Sequence, residues 1–237
     1  MQMLQLSKDI LPSLQKIIAG LSISEVLEKL SAIFPGAITF STSFSIEDQV
    51  ITDLIHKSKI NINFFTLDTG RLFPETYHTW DQTLERYQIK INAFFPDKKQ
   101  LEYFITENGP NAFFQSVELR KKCCYLRKVA PLKKALEKRS VWITGLRAEH
   151  SATRKELQPL EWDDAHKIIK YHPLLHWTTE EVMNYIEENN VPFNPLYNKG
   201  FVSIGCAPCT RAVLPGEVFR GGRWWWEEEE KKECGLH

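Results

Sequence analysis

Charge of one sign is the first thing this chain lacks: 30 Lys and Arg residues are balanced by 30 Asp and Glu. Such a balance leaves no long-range field to draw nucleic acid or an anionic membrane, so any anion must be held by local basic clusters. Long hydrophobic runs are missing as well. No stretch reaches the ~18 apolar residues of a membrane span, and Met1 to Ser24 does not place a basic region before an apolar one as a secretory signal does. A cytoplasmic protein with neither nucleic-acid nor membrane partners is the expectation. Cysteine is scarce, five in 237 residues, and in a reducing compartment thiols serve as metal ligands or reactive groups rather than as a disulfide framework. The sequence also lacks internal repeats, an interdomain linker and a Gly-rich pyrophosphate loop. One domain with a tail is the expectation at this length.

What is present reads as alternating strands and helices. Val26, Leu27, Leu30, Ile33 and Phe34 follow helical spacing behind Ser22 and Glu25, which have the form of a capping box. Residues 37–42 read as a buried strand, after which Glu47 and Asp48 open a helix with Val50, Ile51, Leu54 and Ile55 on one face. Residues 60–67 are a second strand, and Pro74 sits at a favoured first helical position before a helix reaching Tyr87. Residues 90–95, 140–145 and 168–172 read as further strands, 120–138 as a helix crowded with cations, and 178–190 as a helix with acidic residues early. This order implies right-handed crossovers and an α/β fold with a mostly parallel, doubly wound sheet, whose ligands bind at the carboxyl ends of the strands. Beyond Pro192 regularity fades into a loop-rich lobe.

Three loops follow predicted strands and open on one edge: residues 41–46, 68–73 and 146–154. The first is rich in hydroxyls and runs into a helix start that favours an anion, although an ordinary capped turn explains it equally well. The third, with Gly145, Arg147, Ser151, Thr153 and Arg154, suits phosphate or sulfate. Arg120, Lys121, Lys122, Arg127 and Lys128 surround Cys123 and Cys124, so either something negative belongs nearby or this is a solvated helix face. With Cys206 and Cys209 the adjacent pair supplies four thiolates, the ligand count of zinc or of an iron-sulfur cluster, and spacing alone does not separate the two. Cys234 is left over, and Lys231 and Lys232 favour its thiolate while Glu233 opposes them. Glu227 to Glu230 read as a solvated helix face, and Trp224 to Trp226 as a docking surface for the tail or a partner.

Six segments carry a resemblance: Cys123 with Cys124, GCAPCTR at Gly205 to Arg211, LDTGRLFPETY at Leu67 to Tyr77, GLRAEHSATR at Gly145 to Arg154, GRWWWE at Gly222 to Glu227, and the terminal KECGLH. From about Ala37 to His237 the sequence resembles assimilatory adenylyl-sulfate reductases, the iron-sulfur branch of the phosphoadenylyl-sulfate reductase family. The resemblance implies an adenine-nucleotide alpha-hydrolase-like fold, with one 4Fe-4S cluster on Cys123, Cys124, Cys206 and Cys209. It implies that Cys234 attacks the sulfur of adenosine 5'-phosphosulfate, expelling AMP and leaving an S-sulfocysteine from which thioredoxin releases sulfite. Lys128, Arg220, Arg223 and His237 match positions that embrace the phosphosulfate. Adenosine is expected over the first two loops, at Ser43, Ser45, Leu67 and Thr69, and over Gly145 with Arg147 beside it.

On this reading residues 1–36 are a helical segment, 37–219 the sulfonucleotide reductase domain with its iron-sulfur lobe, and 220–237 a catalytic tail. That tail is expected to move from about Trp224 onward and to close on substrate. The chain departs from the family at Ser43, Phe44, Ser45 and Ile46, where a glycine often allows the backbone close to the substrate. With no second redox motif before His237, the reductant is expected from outside; self-association into a homo-oligomer is left open. The rivals are a phosphoadenylyl-sulfate reductase or dual-substrate enzyme, a tRNA-thiolating ATP pyrophosphatase, and a zinc-braced non-catalytic adaptor. Neutral charge and the missing Gly-rich loop weigh against the second of these.

Overall fold

The computed structural model describes residues 6–150 and 156–228. Two helices precede the sheet, α1 (Leu11–Ile18) and α2 (Ile23–Ile33), and the second begins with the expected capping box, Ser22 N donating to Glu25 at 2.8 Å. The sheet strands are β1 (Ile38–Ser41), β2 (Asn63–Leu67), β3 (Ile91–Phe94), β4 (Val141–Ile143), β5 (Leu160–Asp163) and β6 (Ile168–Tyr171). They lie in the order β3-β2-β1-β4-β6-β5, parallel throughout except for β5, which runs antiparallel to β6 at the edge. Strand order reverses direction between β1 and β4, and a crevice opens at such a switch point because the connecting helices leave toward opposite faces.

The crossovers are α3 (Ile46–Lys57), α4 (Pro74–Tyr87), α5 (Lys98–Asn108), α6 (Val117–Cys124) and α7 (Ala130–Leu136), with α8 (Thr179–Glu188) following β6. Helix α4 keeps the boundaries its sequence predicts, since Pro74 presets the first turn and Gln88, at φ 51°, ends the last in the left-handed region. The main core packs Leu27 and Leu30 of α2 and Val50 and Ile51 of α3 against Phe40, Val141 and Ile143. Each such burial contributes about 1.5–3 kcal/mol. Helix α3 is buried along most of its length, carrying Glu47, Asp48 and Asp53 inward with its apolar side chains.

The cationic helix expected over residues 120–138 is helical from Val117 to Leu136 but not α-helical throughout. Between α6 and α7 the chain makes a π turn, Tyr125–Val129, directly after the paired cysteines. A second, smaller core gathers Phe104, Phe113, Leu126 and Trp224 with Cys123, Cys124, Cys206 and Cys209. Among the described residues no helix is long and apolar enough to cross a membrane.

Candidate active site

A cleft of about 240 Å³ opens at the switch point. Its floor is the carboxyl edge of β1, β2 and β4, and Ser43, Ser45, Leu67, Thr69, Gly145, Lys128, Arg220 and Arg223 all line it. The three strand-exit loops therefore do meet on one edge. Cys234 and His237, expected to complete the site, lie outside the described residues, as do Ser151 to Lys155.

The first loop is shaped by a carboxylate that the sequence marked only as a helix opener. Asp48 Oδ2 accepts both Ser43 N and Ser43 Oγ at 2.7 Å, and Ser45 Oγ caps α3 by accepting Asp48 N at 3.2 Å. Both donors of Ser43 are thus engaged, and the loop is formed by its own helix before any ligand enters. Burial pushes the Asp48 carboxyl up to about 6, against the opposing pull of the Ser43 hydrogen bonds. Phe44 takes φ 61°, so the loop makes a left-handed turn that glycine would adopt without strain and carries a bulky side chain through it. The cost, about 1–2 kcal/mol for a left-handed non-glycine, is offset by burial of Phe44 and its stacking on Trp80 at 5.3 Å and 23°.

Gly145 faces this carboxylate. A Cβ there would fall well inside contact distance of Asp48 Oδ1 and 3.2 Å from Glu47 Cβ, so the exit of β4 needs glycine for close approach. Trp142 of β4, which also lines the cleft, donates from Nε1 to Ser41 Oγ at 2.9 Å and takes Lys170 Nζ over its ring at 5.2 Å.

Arg147 does not reach the cleft, and here the expectation is corrected. Its guanidinium is fully buried, Nε donating to Glu47 Oε1 at 2.9 Å, Nη1 to Glu149 and to Trp177 O at 3.0 Å, and Nη2 to Thr179 Oγ1 at 3.0 Å. Burial pushes Glu47 up, but His150 and Arg147 together outweigh it and hold the carboxyl below its usual range. His150 itself stacks on Phe219 at 4.5 Å and 14°, tying the loop after β4 to the segment that carries Arg220.

A second cavity adjoins the cleft, walled by all four paired cysteines with Arg71, Arg120, Arg127 and Lys128. Lys128 lines both cavities. The π turn places Arg127 and Lys128 there, and Gly205 leaves room for the Arg223 guanidinium, which its Cβ would otherwise overlap. Thr69 joins the cavities from the other side: its carbonyl accepts from Arg127 Nη1 and its hydroxyl accepts from Cys206 Sγ at 3.3 Å. Burial raises the thiols of Cys123 and Cys209, the latter to about 12, whereas at Cys206 Lys128, the Thr69 hydroxyl and Arg223 outweigh burial and lower it.

Four thiols ringed by cations form a donor set for an anionic, thiolate-ligated group. Arg127 Nε and Trp224 Nε1 are buried beside them with no acceptor among the described residues, which fits a site short of one anionic component. No three His, Cys, Asp or Glu side chains among the described residues are gathered closely enough to hold a single metal ion.

Glu227 corrects another expectation. Its side chain is not part of a solvated face but is buried against Arg120, and Trp224 is buried as well, while Trp225 between them is exposed. Residues beyond 228, with Cys234 and His237 among them, lie outside the described residues.

Residues 37–212 match the phosphoadenosine phosphosulfate reductase domain, and the chain belongs to that family. It is 48% identical over 200 residues to an adenosine 5'-phosphosulfate reductase of Burkholderia cepacia, covering 84% of this chain and 80% of the relative. An adenosine 5'-phosphosulfate reductase of Allochromatium vinosum is 44% identical over 232 residues, covering 98% of this chain and 88% of the relative. The crystal structure of the phosphoadenylyl-sulfate (PAPS) reductase from Candida auris, a phosphate complex, resembles it with a TM-score of 0.74 at 30% identity, over 89% of this chain and 99% of that one.

Proposed function

We propose that the chain reduces adenosine 5'-phosphosulfate to sulfite and AMP, as a cytoplasmic enzyme of sulfate assimilation. The observation that carries this reading is the pair of adjoining cavities sharing Lys128: a nucleotide-sized cleft with Arg220 and Arg223 on one side, and four thiols on the other. Adenosine would lie over Leu67, Thr69 and Gly145. The phosphosulfate would be gripped by Lys128, Arg220 and Arg223, with His237 added from the tail, rather than by Ser43, whose donors are engaged by Asp48.

Cys234 is the nucleophile of this scheme. Its thiolate attacks the sulfate sulfur, the sulfur–oxygen bond to phosphate breaks, and AMP leaves with the electron pair, giving an S-sulfocysteine. Cations around the leaving phosphate stabilise the charge that develops there. A thiolate of an external dithiol protein of the thioredoxin class then attacks Cys234 Sγ, sulfite departs, and the second thiol closes the disulfide, so the dithiol supplies both electrons. Cys123, Cys124, Cys206 and Cys209 would hold one 4Fe-4S cluster. Four thiols around one cavity supply the ligand count of such a cluster. Bound there, the cluster would add charge to the wall behind Lys128.

The test is an anaerobic assay of purified protein with reduced thioredoxin and each sulfonucleotide in turn. Sulfite from adenosine 5'-phosphosulfate is the expected result. Turnover confined to the 3'-phosphorylated nucleotide would replace the substrate assignment, and turnover of neither would end the reading.

A further inference from the structure

Glu227 and Arg120 stand 107 residues apart in sequence and meet fork to fork, with Nε to Oε1 at 2.9 Å and Nη2 to Oε2 at 2.7 Å. Their side chains are 4% and 0% exposed. A solvated ion pair would constrain little, but in a buried one either partner alone is an uncompensated charge, so the two hold one geometry. Arg120 lies on α6 one turn ahead of Cys123 and Cys124 and interacts with the Cys124 thiol.

The pair encloses a tryptophan. The Arg120 guanidinium lies 4.8 Å from the centre of the Trp224 ring, and the same ring takes Arg223 at 4.8 Å and Arg220 at 5.9 Å. Trp224 is thus the partition between a cation on the cysteine side and two cations that line the cleft. Its backbone sits at φ 40°, a conformation that a bulky residue keeps only when its surroundings impose it. The constraints on it are the bridge of Arg223 to Thr210, the bond from Trp224 N to Cys209 O at 3.2 Å, and Glu227 anchored three residues on.

We propose that Arg120 and Glu227 are a clasp that positions Arg220 and Arg223, through Trp224, for gripping the anionic end of a nucleotide in the cleft. The clasp makes that grip depend on α6, the helix that carries Cys123 and Cys124. Neither residue touches substrate; both are positioning residues, and the proposal rests on the nucleotide reading of the cleft.

The experiment is calorimetric titration of AMP into the iron-loaded protein and into Glu227→Gln, Arg120→Gln and the double variant, with iron content and thermal unfolding measured on the same samples. Wild type is expected to bind AMP. Each single variant should bind it at least about fivefold more weakly at unchanged iron content, and the double variant no more weakly than the worse single one, since the two act as a unit. Arg120→Lys, which keeps the charge without the fork, should fall between wild type and Arg120→Gln, and it replaces the latter if that variant does not fold. A lower unfolding temperature with undiminished AMP affinity would reduce the pair to a structural brace and overturn the proposal, as would additive losses. Failure of wild type to bind AMP is a different result: it ends the nucleotide reading and takes the clasp with it.

Discussion

Gly145→Ala tests how the cleft is built with a single methyl group. The added Cβ would overlap Asp48 Oδ1 and would press on Glu47 Cβ at 3.2 Å. Asp48 must swing away, and in doing so it releases Ser43 N and Ser43 Oγ, both held at 2.7 Å. Hydrogen bonds to a charged group contribute about 1.5–3 kcal/mol each, so loss of the pair, partly recovered by relaxation, should cost about 3 kcal/mol. In a chain of this size that lowers the unfolding temperature by roughly 6–12 °C. The freed loop should also weaken AMP binding, because Ser43 and Ser45 line the cleft beside Gly145. Thermal unfolding and AMP calorimetry of Gly145→Ala, Asp48→Ala and the double variant decide the matter. If the overlap is the cause, the methyl group adds little once Asp48 is truncated. A Gly145→Ala protein with unchanged unfolding temperature, or one whose full cost reappears on top of Asp48→Ala, would refute the reasoning.

Asp48 also sets a pH dependence. Its folded value of about 6 lies above the ordinary 3.8, so its contribution to stability is complete below about pH 4 and is lost as pH rises through 6. That gap corresponds to roughly 3 kcal/mol, and denaturant titrations of wild type against Asp48→Asn should show the difference shrinking by about that amount between pH 4 and 7. A difference that stays flat over this range would mean that Asp48 does not titrate there. Arg147→Met should cost about 3–5 kcal/mol by leaving Glu47 buried with His150 alone, while KM for the nucleotide stays within about twofold; a large rise in KM would put Arg147 in the cleft after all. Cys234→Ser should abolish sulfite formation and leave AMP binding intact, since a neutral hydroxyl is a far poorer nucleophile than a thiolate; retained turnover would remove Cys234 from the chemistry. Serine at any one of Cys123, Cys124, Cys206 or Cys209 should deplete iron and activity together, and full iron in two such variants would show the ligand set to be wrong.

The elements legible in the sequence are those whose ends carry their own chemistry. Ser22 with Glu25, Pro74, and the acidic start at Glu180 and Glu181 behind Thr178 each mark a helix start through local hydrogen bonding or a preset φ, and each helix begins there. Strands β1, β2 and β4 were visible as apolar runs because both faces of a central parallel strand are buried. Edge strand β5, Leu160–Asp163, escaped notice because its four residues alternate too briefly to show a period, and α5 because its inward face is little more than Phe104. Within the site, residue type was readable and direction was not. Arg147 and Arg223 are both loop arginines followed or flanked by acid or aromatic residues, yet one turns into a carboxylate nest and the other into the wall of the cleft. Glu227, in a run of four glutamates, is withdrawn from water only because Arg120 waits more than a hundred positions earlier. The proximity of Cys123 and Cys124 to Cys206 and Cys209 was legible from chemistry, since two pairs of thiols on a neutral chain have few other uses.

The π turn at Tyr125–Val129 has a consequence for the mechanics of the helical segment. An unbroken α-helix locks the azimuth of every residue to its neighbours at about 100° per position, so one stretch cannot be re-aimed without turning the next. The wider turn acts as a phase shifter between two jobs: upstream, Cys123 and Cys124 face the cavity, and downstream, Leu132, Ala135 and Leu136 face the sheet against Phe65 and Trp142. Tightening 125–129 to ordinary α turns at unchanged length would rotate one set out of alignment by about a quarter of a revolution, since a π turn advances through a smaller angle per residue. Either the thiols would leave their cavity or the leucines their core. Substitutions in the cysteine-facing half of this segment can therefore accumulate without disturbing the packing half, whereas deletion of one residue from the wide turn would close it to an ordinary one and carry the cysteines and the core leucines through in phase.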